Sequence, residues 1–343
     1  MKLERTLLII FGFTRFDMTN TSHTINSSIT LSITIVGVVL ALTGCQTVTT
    51  GKAVSNKSMA SNPLTAQMPA IDRQGRIAYV EEQGIGVAKI STLYSINPDG
   101  SDRQVIDQLN GYIYAPAWSA DGQRLAFSKQ AARHYPFIYI YDRSKQARQL
   151  IVDASGSNLS PSFSPDGQKL LYSSSVGGNA DIYERSLATG VTKQLTTLPS
   201  TEVQPSYAPD GKSFVYVSDK ARAGRPSIYR YTFATGNAAL ISANGYAASP
   251  QLSLNGQLIS YLNGRQAAVM TLANKQVVNL AETGLDEPAR FSPSSQYVVY
   301  AMQNSKINGQ MGSSLVVRSL ASGSSYTISS QSGGLARSPV WGR

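Results

Sequence analysis

The sequence predicts an all-β chain folded as a six-bladed β-propeller, closed by pairing its C-terminal strand with its N-terminal blade. Three observations predict it. A proline that opens a short hairpin recurs at positions 116, 161, 205, 250, 288 and 339. Short apolar runs follow each of the first five in the same order, four strands to a period of about 45 residues. The two ends are complementary: one strand lies between Pro339 and Arg343, while the region before Pro116 holds the other three of a blade.

Taken in order, residues 1–44 are expected to be a signal peptide. Residues 29–44 form an apolar stretch interrupted by Ser and Thr, too short for a good membrane span and of the length of an export segment. Leu42-Thr43-Gly44-Cys45 resembles a bacterial lipobox, in which the cysteine is acylated and becomes the mature N-terminus. Several acyl chains would anchor stably where one would be marginal. The leader is long, with no Lys or Arg between Arg15 and Lys52, so Met1 and Met18 both stay open as the start. Residues 45–73 are expected to be the lipidated cysteine and a flexible tether, because the stretch is polar and lacks an apolar period.

Residues 74–343 are expected to be the propeller. The N-terminal blade starts with RIAYV (76–80), TLYSI (92–96) and RQVID (103–107). The clearest hairpin is Ser160-Pro161-Ser162-Phe163-Ser164-Pro165-Asp166-Gly167. Its Pro presets φ, its Asp bonds back to the backbone, and its Gly tolerates positive φ. Second strands read LAFSK (125–129), LLYSS (170–174), FVYVS (214–218), LISYL (258–262) and YVVYAM (297–302). Third strands read FIYIYD (137–142), DIYERS (181–186), SIYRYTF (227–233), AVMTL (268–272) and SLVVRSL (314–320). A Gly turn and a fourth strand follow, as in Ala188-Thr189-Gly190 before Lys193-Gln194-Leu195-Thr196. Asp121, Asp166 and Asp210 read as turn-capping residues, and Trp118, Phe163, Tyr207, Phe291 and Trp341 as core between blades.

Composition bounds the chemistry. The single cysteine, Cys45, allows neither an intrachain disulfide nor a cysteine-based metal site, and His23 and His134 are too few for a histidine-rich centre. No cofactor or metal is expected. The formal net charge of +10 suits a partner that is nucleic acid, anionic lipid or acidic protein. Export argues against nucleic acid.

The run Pro-Ser-Phe-Ser-Pro-Asp-Gly-Gln-Lys-Leu-Leu-Tyr-Ser-Ser (161–174) and the run Val-Ser-Asp-Lys-Ala-Arg-Ala-Gly-Arg-Pro-Ser-Ile-Tyr-Arg (217–230) resemble the propeller of the TolB family. The resemblance covers roughly residues 74–343. It implies a non-catalytic, monomeric, periplasmic scaffold of the Tol–Pal envelope system whose propeller binds the lipoprotein Pal. The resemblance departs in two ways. The α/β domain that precedes the TolB propeller has no counterpart here, which puts the TolA contact in doubt, and the leader reads as lipid-anchored, with outer-membrane sorting suggested by Gln46.

Strands alternate direction in a propeller, so loops between second and third strands share a face with loops entering the first. That face is expected to carry the partner site: Arg133, His134, Asn158, Glu202, Lys220, Arg222, Arg225, Arg265, Asp286, Glu287 and Lys306, a basic rim that would steer an acidic partner. Two other readings stay open. One is a hydrolase or lactonase in the propeller channel. No G-x-S-x-G elbow occurs, a Ser-His-Asp triad would need His134, and a divalent cation would draw on Asn158, Glu202, Asp286 and Glu287. The other is a binder of anionic glycan or lipid headgroups.

Overall fold

A short strand with apolar side chains on both faces must be covered on both sides, and here every sheet is covered by the next. The computed structural model describes residues 62–84, 89–131, 134–242, 245–285, 287–304, 312–330 and 333–343. The chain enters through two short helices, α1 (Pro63–Gln67) and α2 (Ala70–Arg73). The strands that follow are β1 (Arg76–Gln83), β2 (Ile90–Ile96) and β3 (Gln104–Trp118), then β4 (Arg124–Ala131), β5 (Phe137–Asp142) and β6 (Ala147–Val152). Next come β7 (Asn158–Phe163), β8 (Lys169–Ser174), β9 (Asp181–Ser186) and β10 (Thr192–Gln194). The fourth group is β11 (Glu202–Tyr207), β12 (Ser213–Ser218), β13 (Ser227–Thr232) and β14 (Asn237–Ser242). The fifth is β15 (Ala247–Leu252), β16 (Leu258–Asn263), β17 (Gln266–Thr271) and β18 (Val277–Glu282). The last is β19 (Arg290–Phe291), β20 (Tyr297–Gln303), β21 (Ser313–Ser319) and β22 (Ser325–Ser329), and β23 (Leu335–Gly342) ends the series.

Four sheets have four antiparallel strands each, and a seven-stranded sheet has the order β23-β1-β2-β3-β4-β5-β6. That larger sheet is two blades joined by one strand. Residues 104–110 of β3 pair with β2, and residues 111–118 pair with β4. The change of partner falls at Gly111, where φ is +145° and a Cβ would stand 2.3 Å from the Gln130 carbonyl oxygen. By pairing, the described strands therefore make six blades. The closing pair is β1 with β23, in the register Ile77↔Trp341 and Ala78↔Val340.

Alternation along each second strand fills both neighbouring interfaces. Leu170 and Tyr172 pack toward Phe163, Ala126 and Ile140, while Leu171 on the same strand packs with Phe214, Tyr216 and Tyr229 of the next blade. The outermost strands pack on one side only and are exposed, as in Thr192–Gln194. Phe163, Phe291 and Trp341 are buried, and Trp118 and Tyr207 pack against inter-blade clusters, as their repeated position predicts.

Five innermost strands share one irregularity. The residue before the repeat proline has positive φ: Ala115, Ser160, Gln204, Ser249 and Ser338, between +45° and +55°. The ladder slips at each of these points. A slip leaves backbone amides without a partner in their own sheet. Neighbouring blades take them up. At two of the slips Gln204 Oε1 accepts from the Ser249 amide (2.8 Å) and Glu287 Oε2 from the Ser338 amide (3.1 Å); farther along their strands the Tyr207 amide donates to Ser162 Oγ (3.1 Å) and the Phe291 amide of β19, a strand with no slip, to Gln251 Oε1 (3.0 Å).

The first-to-second strand turns behave as the Pro-Asp-Gly reading predicts. Asp166 Oδ1 accepts from Ser164 Oγ (2.5 Å) and the Gln168 amide (3.0 Å), which hold its carboxyl below the usual range. Asp121 repeats both bonds, and Asp210 accepts from the Lys212 amide. The sixth blade lacks this aspartate and reads Ser292-Pro293-Ser294-Ser295. Here Asp72 of α2 supplies the carboxylate from outside. It is fully buried and accepts from Ser292 Oγ (3.0 Å), the Ser294 amide (2.7 Å) and Ser294 Oγ (2.5 Å). The tether expected over 45–73 therefore stops short of the propeller. Residues 62–73 dock on it, with Met68 buried beside Tyr297 and Trp341. Helices of four and five residues carry no period to read, which is why the sequence reading missed them. The leader, Cys45 and the rest of the tether lie outside the described residues.

Asp72→Ala should cost about 2–3 kcal/mol in urea denaturation, since it strands two hydroxyls and an amide. Ser294→Asp should destabilise the natural chain by placing a second carboxylate on Asp72, yet stabilise the Asp72→Ala background by restoring the turn aspartate. The same sign of effect in both backgrounds would refute the substitution of one carboxylate for the other. Trp341→Ala, which empties the closing interface, should cost about 3–5 kcal/mol by the same measurement.

Candidate binding face

Two kinds of loop build the face opposite the Pro-Asp-Gly turns. Loops from second to third strands include 175–180 and 219–226, and loops from fourth to first strands include 195–201 and 283–289. Side chains hold them. Asn179 Nδ2 donates to the carbonyls of Leu198 (2.7 Å) and Ser200 (2.9 Å). Asp219 accepts from the amides of Thr201 (2.9 Å) and Gly224 (3.1 Å), so one carboxylate fixes two loops.

The structure divides the expected partner residues into three groups. Arg133, Asp286 and Lys306 lie outside the described residues. Asn158, Glu202 and Glu287 are buried, which corrects their placement on a contact surface. Asn158 Nδ2 donates to the carbonyls of Pro136, Ala154 and Gly156, and its Oδ1 accepts from Ser174 Oγ. It holds its own loop and has no polar group left for a partner. Glu287 accepts from Arg337 Nε (3.1 Å) and the Ser338 amide (3.1 Å) and so belongs to the ring. Glu202 accepts from Ser200 Oγ (2.5 Å) and Ser218 Oγ (2.8 Å). The three sit in separate networks and do not assemble the cation set considered above. Among the described residues no group of three or more His, Cys, Asp or Glu is placed to hold a metal.

The third group is exposed: His134, Lys220, Arg222, Arg225 and Arg265. They are not equivalent. Arg265 Nε pairs with Glu282 at 3.3 Å. Several cations outside the expected set are paired as well. Asp107 pairs with Lys129 (2.9 Å) and Arg148 (2.7 Å), Glu82 with Lys89 (2.9 Å), and Glu81 with Arg103. Lys220, Arg222 and Arg225 have no carboxylate partner among the described residues, and the Lys220 ammonium lies 4.0 Å above the Tyr229 ring. Among the described residues, the unpaired cations of the expected rim are thus concentrated on one loop, 219–225, of the fourth blade.

Sequence reasoning missed an apolar element on the same face. Tyr135 is 58% exposed, Val176 48% and Leu198 41%, on the loops of the second and third blades. A large apolar residue at an irregular loop tip was the available signal, although single exposed apolar residues are common. With 219–225 they make a sector of apolar tips bordered by free cations.

The comparisons with known proteins agree with this fold. A family model described as the TolB β-propeller domain matches residues 64–343. The crystal structure of TolB from Acinetobacter baumannii superposes with a TM-score of 0.68 at 31% identity, covering 79% of this chain and 67% of that one. A putative TolB from Agrobacterium tumefaciens gives 0.55 at 20% identity over 74% of this chain and 89% of its own. A chain of a nidogen/laminin complex gives 0.60 at 10% identity, covering 78% of this chain and 98% of that one, a likeness of fold alone. No curated protein matches the chain. With a family match that spans the whole propeller, the chain belongs to the TolB β-propeller domain family.

Proposed function

We propose that this chain is an exported, lipid-anchored TolB-like propeller of the bacterial envelope that binds protein without catalysis, with a Pal-like lipoprotein as partner. The observation that carries the reading is the loop 219–225, whose Lys220, Arg222 and Arg225 lack carboxylate partners among the described residues, on the same face as the exposed Tyr135, Val176 and Leu198. Cations at a rim steer an acidic protein and suppress wrong partners. The course of the N-terminus supports the same reading. Residues 62–75 enter on the turn face, fixed there by Asp72. A tether running back to an acylated Cys45 would hold that face toward a membrane and turn the loop face outward. On this reading the protein works in the periplasm, tethered to the inner leaflet of the outer membrane. A second reading, binding of an anionic glycan or lipid headgroup, draws on the same three cations but leaves the apolar tips without a role.

Crosslinking in cells with identification of partners tests the proposal. The expected result is capture of a Pal-like lipoprotein, reduced at least about tenfold by Lys220→Glu/Arg222→Glu/Arg225→Glu. Undiminished capture by the folded triple variant would remove this loop from the account. Cys45→Ser should move the protein from membrane to soluble fractions, and its retention in membranes would refute the anchor.

A further inference from the structure

The channel at the centre of the ring carries a cation that no carboxylate neutralises. Arg290 lies on β19, the innermost strand of the sixth blade, and is half-buried. Strand register aligns it with Ala117, Ser162, Ser206, Gln251 and Val340 of the other blades, so it is the one charged residue of that tier. Its Nη1 donates to the Ser249 carbonyl of the fifth blade (2.7 Å). A carbonyl is neutral, and among the described residues no carboxylate lies within ion-pair distance of Arg290. The Glu287 carboxylate acts on it from farther off and is itself paired with Arg337 at 3.1 Å. Burial lowers the Arg290 guanidinium to about 10, which leaves it cationic at neutral pH. A sequestered cation of this kind is costly unless a counter-charge reaches it.

Two glutamines bring further donors to the same part of the wall. Gln204 Oε1 accepts from the Ser249 amide (2.8 Å), and Gln251 Oε1 accepts from the Phe291 amide (3.0 Å). Only the oxygen of a side-chain amide can meet a backbone N–H, so both Nε2 groups, with two donors each, are left uncommitted. Ser249 gathers the cluster: its amide holds Gln204, its carbonyl holds Arg290, and Gln251 follows it on β15. Innermost strands are paired outward with second strands and covered on both faces by neighbouring blades, so water reaches their middle from the channel. Among the described residues none of these three side chains has a nitrogen buried without a partner. Their unbonded N–H groups therefore open into the channel.

We propose that Arg290, Gln204 and Gln251 form a binding site for a carboxylate inside the propeller channel. The single positive charge of the tier matches a single negative charge, which favours a carboxylate over a phosphate dianion. With Nη1 on Ser249, the other edge of the guanidinium fork is left to take both carboxylate oxygens, and the two glutamine amides add neutral donors beside it. A free small acid and the C-terminal end of a chain entering the channel share this chemistry. The site is separate from the loop 219–225 and does not depend on the function proposed above.

Titration of the full chain with sodium acetate, against sodium chloride at equal ionic strength, tests this. The Arg290 side-chain Nε–Hε resonance should move saturably with acetate, and the thermal midpoint should rise above the chloride reference. Arg290→Gln, which keeps a donor for the Ser249 carbonyl without the charge, should weaken acetate binding at least about tenfold. Gln204→Ala/Gln251→Ala should weaken it with Arg290 in place. An acetate effect on the midpoint that is as large in Arg290→Gln as in the natural chain would be a general salt effect and overturns the proposal. Should that variant fail to fold, the Arg290 resonance of the natural chain decides, and a resonance that does not move, or never saturates, overturns it. Phosphate that saturates the resonance at lower concentration than acetate overturns the choice of a carboxylate. Tri-alanine and its C-terminal amide separate the two sources. Tighter binding of tri-alanine than of acetate, lost in the amide, supports a chain end, and acetate binding as tight as that of tri-alanine supports a free acid.

Discussion

The ring depends on one non-covalent pairing, that of β1 with β23. Everywhere else a tight turn joins a first strand to its second, but in this blade the two come from opposite ends of the chain. Were they to part, two strand edges would be exposed, along with the cluster that Trp341 shares with Ile77, Tyr79, Tyr297 and Val317. The closure is reinforced on both sides. Asp72, just before β1, ties the N-terminal helices to the sixth blade. The Arg343 carbonyl, just after β23, packs so closely on Gly122 of the second blade that a Cβ there would meet it at 1.9 Å. Each end of the chain is thus fastened to the blade on the far side of the one it completes.

The bulges before the repeat prolines extend the same logic around the channel. A left-handed, non-glycine residue ahead of proline is unfavourable locally, and the cost recurs five times. What offsets it is visible in the hydrogen bonds. The Ser249 and Ser338 amides at two slips, and the Tyr207 and Phe291 amides farther along their strands, are met by Gln204, Glu287, Ser162 and Gln251 of the preceding blade. The innermost strands are thereby linked by polar bonds as well as by apolar packing. Glu287 is a member of this series, which explains why an acid near the channel mouth is not a ligand.

The architecture was legible because each blade must solve the same problem. Pro-Asp-Gly turns, alternating second strands and an aromatic at a fixed place are demanded by local sterics and by two-sided burial, so they recur in the sequence. Asp121, Asp166 and Asp210 do what turn chemistry requires of them. The site was less legible, because charge pairing is set by tertiary neighbours. Arg265 looks like a rim cation in the sequence and is neutralised by Glu282 of a later strand. Asn158 and Glu202 sit at the start of first strands, as inferred, but point inward to satisfy loops. Asp72 carried no signal at all, since its partner turn is 220 residues downstream.

The two faces follow from this division. On the turn face the backbone is satisfied by one repeated device, and a blade that loses it must import a replacement, as the sixth does from Asp72. On the loop face each connection is satisfied by its own side chains: Asn158 in the third blade, Asn179 and Asp219 at the next boundary. Loops held individually can change length and charge without disturbing the ring. Free cations and exposed apolar tips can therefore gather in one sector at little structural cost, and the sector lies where the repeat is least regular. In this fold the loss of periodicity marks the surface that is free to be selected for binding.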